Sequence, residues 1–172
     1  MYAVLSLMVA LGLAGGGIAS AEKAPSALVN GGFERDADQD RLADGWQLQG
    51  VAGRWAVSLV GSSTSPDAQA VQRVAVPSPA PSVATVSCLL RSTRLQPAGE
   101  GQATAKLTIT YLDAQGQPVR KPKTIATWSK EVGWRPWTGL IRIPAKSAEL
   151  ELALSLAGAD GQVMFDDVRL FW

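Results

Sequence analysis

Residues 149–156 read ELELALSL, and this stretch decides the fold class. Its four leucines, beginning at Leu150, recur at every second position, so an extended chain places all of them on one face. An α-helix would instead spread the same leucines around its circumference. The stretch therefore predicts a β-strand with one buried face and one polar face.

The chain on both sides of this stretch has the same character. Short apolar runs alternate with Gly, Pro, Asn and Asp, and no convincing helical period occurs after residue 22. We predict nine strands, at residues 27–33, 55–60, 69–76, 83–92, 103–112, 124–128, 137–143, 149–156 and 163–171. Asp113 to Gly116 predicts the turn of a hairpin. Many short strands with turns between them predict an all-β fold, an antiparallel β-sandwich of the jelly-roll type.

The composition limits the size, the partners and the chemistry of the protein. A chain of 172 residues suffices for one domain, and a net charge of +1 with scattered cations gives no support to nucleic-acid binding. Histidine, the commonest general base, is absent, which disfavours an enzyme. The lone cysteine, Cys88, lies in an apolar run, so we predict a buried side chain without a disulfide.

The first 21 residues carry no charged side chain and contain the apolar run LSLMVALGLAGGGIA. They end in Ala19-Ser20-Ala21, which is an A-x-A cleavage pattern. We therefore expect a signal peptide over residues 1–21, a single domain over residues 22–172, and a secreted or periplasmic protein with no membrane contact after signal removal. An uncleaved membrane anchor is the alternative, since the apolar run is nearly long enough to span a bilayer.

Three landmarks occur in order along the chain. The stretch NGGFE at residues 30–34 comes first, Gly45-Trp46 follows, and residues 134–144 lead through the leucine alternation to FDDVRL at residues 165–170. This set resembles the galactose-binding-like jelly rolls that serve as carbohydrate-binding modules on secreted bacterial glycanases. The resemblance implies an exported, non-catalytic carbohydrate-binding module-like protein whose partner is a glycan or polysaccharide. The alternative is a structural or protein-interaction module of the cell envelope, because one fold hosts many binding functions.

The resemblance also implies a structural calcium ion where the first and last strands meet, with Glu34 and Asp166 as its ligands. The residues of the last strand support this, because Asp166 alternates in phase with Val168 and Leu170 and would point inward with them. A buried carboxylate needs a cation or several hydrogen-bond donors. The alternative is that Asp166 caps backbone N–H groups in a turn.

The acidic loop, residues 30–46, offers a second possible calcium site. Four aspartates follow the spacing of a calcium-binding loop: Asp36, Asp38, Asp40 and Asp44. However, Arg41 stands where such a loop needs glycine, and Gln47 stands where it needs a bidentate glutamate. We therefore interpret the stretch as a solvated loop with Asx turns, and keep calcium binding as the alternative.

Six tryptophans in a small domain suggest a sugar-binding surface, because aromatic faces stack on the apolar faces of pyranose rings. Trp46 and Trp134 match family landmarks whose usual role is packing. Trp137 shares a strand face with Ile141 and Ile143, which is a core pattern. Trp55 and Trp128 stand among polar neighbours. We therefore predict that these last two form the ligand-binding surface, and keep packing in the core as the alternative for each.

Overall fold

The computed structural model describes residues 25–38, 43–49, 57–61, 67–100 and 102–172. These residues form nine β-strands and no helix, so the predicted all-β class is confirmed. The strands are β1 (Gln47–Gln49), β2 (Val57–Gly61), β3 (Ala68–Ala75), β4 (Val83–Pro97), β5 (Thr104–Leu112), β6 (Lys123–Trp128), β7 (Val132–Arg142), β8 (Glu149–Ala157) and β9 (Ala159–Phe171).

Some of the predictions concern residues outside these ranges. The signal peptide over residues 1–21 lies there, as do Trp55, Asp40 and Arg41. What was expected of them stays a prediction. Within the described ranges, no helix could span a membrane.

The strands form two sheets that pack face to face. The five-stranded sheet has the order β1-β3-β8-β5-β6, and the four-stranded sheet has the order β2-β9-β4-β7. Every pairing between neighbouring strands is antiparallel. The antiparallel β-sandwich predicted from the sequence is therefore confirmed.

The core lies between the two sheets, and β8 shows how the sequence builds it. Its four leucines are at most 1% exposed, whereas the residues between them face outward and are half-buried. Cys88 of β4 is also buried, and burial raises the pKa of its thiol to about 12. The predicted role of Cys88 as a core side chain without a disulfide is confirmed by its burial.

The two ends of the described chain lie side by side. The backbone N–H of Ala27 donates to the carbonyl of Leu170 at 2.8 Å, and the N–H of Val168 donates to the carbonyl of Gly31 at 2.9 Å. A side chain on Gly31 would place its Cβ 1.8 Å from the carbonyl oxygen of Val168, so the two segments approach closely. Residues 27–31 therefore lie along β9 beside residues 168–170, beyond the part of β9 that pairs with β2.

This segment is not the strand predicted at residues 27–33. Asn30 and Phe33 adopt φ angles of 51° and 57°, which lie in the left-handed region and interrupt a β-ladder. The buried amide of Gln72 holds the segment instead: its oxygen accepts from the N–H of Val29 at 2.8 Å, and its nitrogen donates to the carbonyls of Val29 and Gly45, each at 2.9 Å. The segment therefore attaches through side-chain hydrogen bonds as well as through β9.

The strand β7 forms one edge of the four-stranded sheet and pairs only with β4 among the described strands. Pro136 lies in the middle of β7, opposite Leu89 of β4. A proline is tolerated in a sheet at such an edge, because the missing N–H would face away from the neighbouring strand. At its centre, the edge strand β7 therefore lacks one backbone N–H group that could donate a hydrogen bond.

Candidate functional site

The outer face of the four-stranded sheet carries unusual apolar exposure. Four of the six exposed large apolar residues of the described chain belong to its strands: Val60, Val83, Trp134 and Leu140. The outer face of the five-stranded sheet differs, since the described residues that point outward from it include no aromatic side chain. Apolar exposure concentrated on one face makes that face the candidate interaction surface.

Strand register arranges this outer face in rows. Arg91 of β4 stands opposite Met164 of β9, and the next row along the same face pairs Thr93 with Gln162. On the other side of Arg91 lies Trp134 of β7. The indole of Trp134 and the guanidinium of Arg91 therefore belong to one row, and the polar pair of Thr93 and Gln162 begins the next.

A cleft of about 420 Å³ opens at this end of the face. Its lining comes from β2, β4 and β9: Val60, Gly61, Thr93, Arg94, Asp160, Gly161 and Gln162. Arg94 and Asp160 bring one charge of each sign, and the amide of Gln162 donates to the hydroxyl of Ser58 at 2.5 Å. Concave surfaces that combine apolar walls with a few placed polar groups are the usual form of a ligand site.

Gly161 determines how closely β4 and β9 approach at this cleft. Its φ angle is 141°, and an added Cβ would lie 2.3 Å from the carbonyl oxygen of Arg94. Glycine adopts this conformation without a steric penalty, and other residues are strained in it. The shape of the cleft therefore depends on Gly161.

Trp134 supplies the aromatic surface beside the cleft. It is 46% exposed, which differs from the packing role that the family landmark implied. The reason is regular alternation: Arg135 pairs with the buried Leu90, so Trp134 turns to the opposite, outer face. An exposed indole next to groups that donate and accept hydrogen bonds can stack on a sugar ring while those groups bind its hydroxyls.

Two other tryptophans pack as predicted. The ring centroid of Trp46 lies 4.9 Å from that of Phe33, and its indole N–H donates to the carbonyl of Asn30 at 3.2 Å. Trp137 points inward from β7, and it packs half-buried against the core. The packing roles predicted for Trp46 and Trp137 are confirmed.

Trp128 lies between the two sheets at the end of β6. It is half-buried, and its ring meets Trp137 and Phe165 edge-on at centroid distances of 6.1 and 5.9 Å. The contacts cross from the five-stranded sheet to the four-stranded sheet, so Trp128 joins the sheets. Its predicted role in ligand binding stays a prediction, as does that of Trp55.

The last strand changes phase at Asp166 and Asp167. Phe165 and Val168 are both buried, so two residues separate successive core positions where an ordinary strand has one. Asp167 has a φ angle of 47°, and the register with β4 shifts at the same point, which defines a β-bulge. Asp166 therefore does not share the face of Val168, and the inward orientation predicted for it is wrong. It is half-buried.

Glu34 and Asp166 nevertheless come close together. A Cβ on Gly32 would lie 3.8 Å from the carboxyl carbon of Glu34 and 4.0 Å from Oδ1 of Asp166. Burial raises the pKa of Asp166; the N–H of Asp167, which donates to Oδ1 at 2.6 Å, opposes this, and the charges of Asp167 and Glu34 raise the pKa further. Two carboxylates near one position gather negative charge there.

A second group of carboxylates converges in the acidic loop. Asp36, Asp38 and Asp44 each offer one oxygen within 4.8 Å of the others. Both carboxylate oxygens of Asp44 accept from the N–H of Ala37, at 3.2 and 3.3 Å. The N–H of Asp44 donates to the carbonyl of Arg35 at 2.9 Å. The loop is thus held by its own hydrogen bonds, and both interpretations of it stay predictions.

Solved structures share this fold at low sequence identity. The module TmCBM61, determined in complex with β-1,4-galactotriose, is 17% identical with a TM-score of 0.56, and the match covers 86% of this chain and 98% of that chain. The CBM22-1 xylan-binding domain of Paenibacillus barcinonensis Xyn10C is 18% identical with a TM-score of 0.54, covering 84% and 92%. No family model matches the sequence, and no curated protein matches it significantly.

A third similar structure belongs to a much longer protein. The enzymatically active domain of tailspike protein 4 from bacteriophage CBA120 is 13% identical with a TM-score of 0.61, and the match covers 85% of this chain but 21% of that chain. Taken with the two modules, the comparison shows a carbohydrate-binding-module-like jelly-roll fold. The fold predicted from the sequence is therefore confirmed.

Proposed function

We propose that this protein is an exported, non-catalytic carbohydrate-binding module-like protein that binds a glycan on the outer face of its four-stranded sheet. One observation carries the proposal: the exposed indole of Trp134 lies on the same outer face as a cleft with polar groups on its wall, one row of side chains away from Thr93 in that wall. The similar folds of a galactotriose complex and a xylan-binding domain support a sugar as the ligand.

The cleft offers the hydrogen bonds that a sugar needs. Hydroxyl groups both donate and accept; Arg94 provides donors, Asp160 provides acceptors, and Gln162 provides both. Each such bond contributes only about 1 kcal/mol net, because it replaces a bond to water. Trp134 therefore supplies the main apolar contact, and the polar groups select the orientation of the sugar.

The same lining argues for binding without hydrolysis. Asp160 is the one carboxylate among the described residues that line the cleft. Hydrolysis of a glycosidic bond ordinarily uses two carboxyl groups, on opposite sides of the bond. A single carboxylate is sufficient for a binding site and insufficient for that mechanism.

Replacement of Trp134 by alanine is expected to weaken glycan binding about fivefold. The loss corresponds to about 1 kcal/mol for an aromatic stacking contact. The measurement is isothermal titration with a glycan that the wild-type domain selects from an array. An affinity within twofold of wild type, in a variant shown to be folded, would contradict the site.

Two controls accompany this variant. Trp172→Ala removes another exposed tryptophan, 40% exposed, which follows the end of β9 far along the strand from the cleft, and should leave the affinity unchanged. Trp128→Ala removes a ring that packs on Phe165, so it should lower the melting temperature instead of the affinity. A folded Trp128→Ala variant with lost affinity would instead support the ligand role predicted for Trp128.

We also propose that Glu34 and Asp166 hold a structural calcium ion. Their carboxylates converge beside Gly32, and calcium prefers oxygen ligands of this kind. The raised pKa of Asp166 reflects burial and gathered negative charge, which a bound cation would offset. An ion at this position would tie the acidic loop to β9.

Export is part of the proposal and rests on the sequence of residues 1–21. We expect the mature protein to begin near Glu22 and to be found in the periplasm or the medium. N-terminal sequencing of the protein recovered from each cell fraction checks this. Recovery of the intact chain, beginning at Met1, from the membrane fraction would favour the anchor.

A second candidate function is an envelope module that binds another protein. The observation that favours it is the apolar end of the same face, where Leu140 is 71% exposed and Val83 is 40% exposed. These residues lie far from the cleft, since Leu140 pairs with Thr85, six residues along β4 from Arg91. A folded domain that bound nothing on a broad glycan array would favour this candidate.

A further inference from the structure

The guanidinium of Arg91 has no counter-ion among the described residues. Within the described residues, the ion pairs are Arg73 with Glu151 and Arg169 with Asp167, and both lie on outer sheet faces. Arg91 is exposed, and no described carboxylate lies within 4.0 Å of its side chain. Two sheet-face arginines are thus paired internally, and Arg91 is available to a ligand.

The neighbours of Arg91 suit the recognition of an anion. Trp134 and Met164 stand on its two sides, and both are apolar. Water is partly excluded when a ligand covers such a row, and a charge-assisted hydrogen bond gains strength there. Arg94 adds a second cation without an ion pair on the cleft wall, and Asp160 is the only carboxylate among the described lining residues.

We infer that the ligand of this face is an acidic polysaccharide, and that Arg91 binds the carboxylate of a uronic acid unit stacked on Trp134. The inference rests on the function proposed above and names its ligand class. Neighbours across adjacent strands have Cβ atoms roughly 5 Å apart, so a carboxylate on a ring over Trp134 is within reach of Arg91. The planar guanidinium binds a carboxylate through two parallel hydrogen bonds.

The test compares three soluble polymers at pH 7: polygalacturonate, a neutral galactan and a sulfated galactan. The wild-type domain is expected to bind polygalacturonate most tightly, and less tightly as salt increases. Arg91→Gln should lower the affinity for polygalacturonate about tenfold and leave binding of the neutral galactan unchanged. The readout is the ratio of the two affinities, which a general loss of folding would not alter selectively.

Arg135→Gln is the matched control. Arg135 follows Trp134 directly and is exposed, but it pairs with the buried Leu90 and so lies on the opposite side of the sheet. This variant removes the same charge and should leave both affinities unchanged. Equal losses in the two variants, or tighter binding of either galactan than of polygalacturonate, would overturn the inference. Failure to bind any glycan would instead overturn the proposed function.

Discussion

Replacement of Gly161 by alanine is expected to destabilise the protein by about 4 kcal/mol, through backbone strain and overpacking together. The added Cβ would lie 2.3 Å from the carbonyl oxygen of Arg94 and 3.0 Å from that of Thr93. Both are backbone atoms of β4, at the irregularity between Thr93 and Gln96, so the added methyl group would have to displace the backbone of β4 there. Thermal denaturation should show a melting temperature lower by roughly 10 °C.

Two further glycines separate the causes of this effect. Gly158 also has a positive φ, 60°, but an added Cβ would lie no closer than 3.5 Å to its nearest neighbour, so Gly158→Ala measures backbone strain alone, about 1 kcal/mol. Gly133 has open space around it, and Gly133→Ala should change little. If Gly161→Ala costs no more than Gly158→Ala, the close approach of the strands at the cleft is not present in solution.

Removal of calcium is expected to lower the stability of the domain by about 2.7 kcal/mol, compared with calcium at a hundredfold excess over its dissociation constant. The reason is mass action: the folded chain brings Glu34 and Asp166 together, and the unfolded chain does not. Thermal denaturation with a chelator, and then with added calcium, measures the effect. A melting temperature indifferent to both reagents would mean that this site binds no ion.

Three variants test which carboxylates are responsible for the change in melting temperature with calcium. Asp166→Asn should reduce it, because the substitution removes charge and nearly preserves shape. Asp167→Asn should change it little, since the Asp167 carboxylate already pairs with Arg169. Asp38→Asn tests the acidic loop and should leave the response largely intact. A response lost only in Asp38→Asn would assign the ion to that loop.

The pKa of Asp166 gives this response a pH dependence. The pKa of Asp166 is higher in the folded chain than in the unfolded chain, so protonation of Asp166 favours folding. This contribution to stability is present below the unfolded-state pKa and is lost as the pH rises through the folded-state pKa. Calcium acts in the opposite direction, since it binds the ionised carboxylate. The stabilisation by calcium should therefore grow as the pH increases through the acid range, as melting curves at pH 4 and pH 7 with and without calcium would show.

The fold could be predicted because strand alternation is a local property. The regular spacing of the leucines in β8 is enough to predict that they are buried. The predicted limits of β3, β5 and β8 agree with the structure within one residue. The segment at residues 27–33 was harder, because its attachment depends on the distant side chain of Gln72 and on two left-handed residues. Neither feature is visible in a hydrophobic pattern.

A bulge explains the wrong prediction for Asp166, and simple alternation explains the exposure of Trp134. In β9 the buried positions Phe165 and Val168 are three residues apart because of the bulge between them. Regular alternation counted back from Val168 therefore predicted the wrong face for Asp166. In β7 the family landmark suggested packing for Trp134. A signal was present in the sequence, since Trp134 and Trp137 are three positions apart, and an odd separation places two side chains of one strand on opposite faces.

The cleft itself could not be read from the sequence. Its residues come from three separate parts of the chain, near residues 60, 94 and 161, and only the pairing of β2, β9 and β4 brings them together. Its shape depends further on the conformation of Gly161, one of 17 glycines in the chain. Nothing in the local pattern distinguishes that glycine from the others.

Pro136 has a consequence for how copies of the protein behave at high concentration. It interrupts the exposed edge of β7, the same strand that presents Trp134 and Leu140 to the surroundings. An incoming strand from another molecule would find no N–H at this position and could not extend a continuous ladder along the edge. The strand can therefore expose apolar side chains without acting as a template for edge-to-edge aggregation.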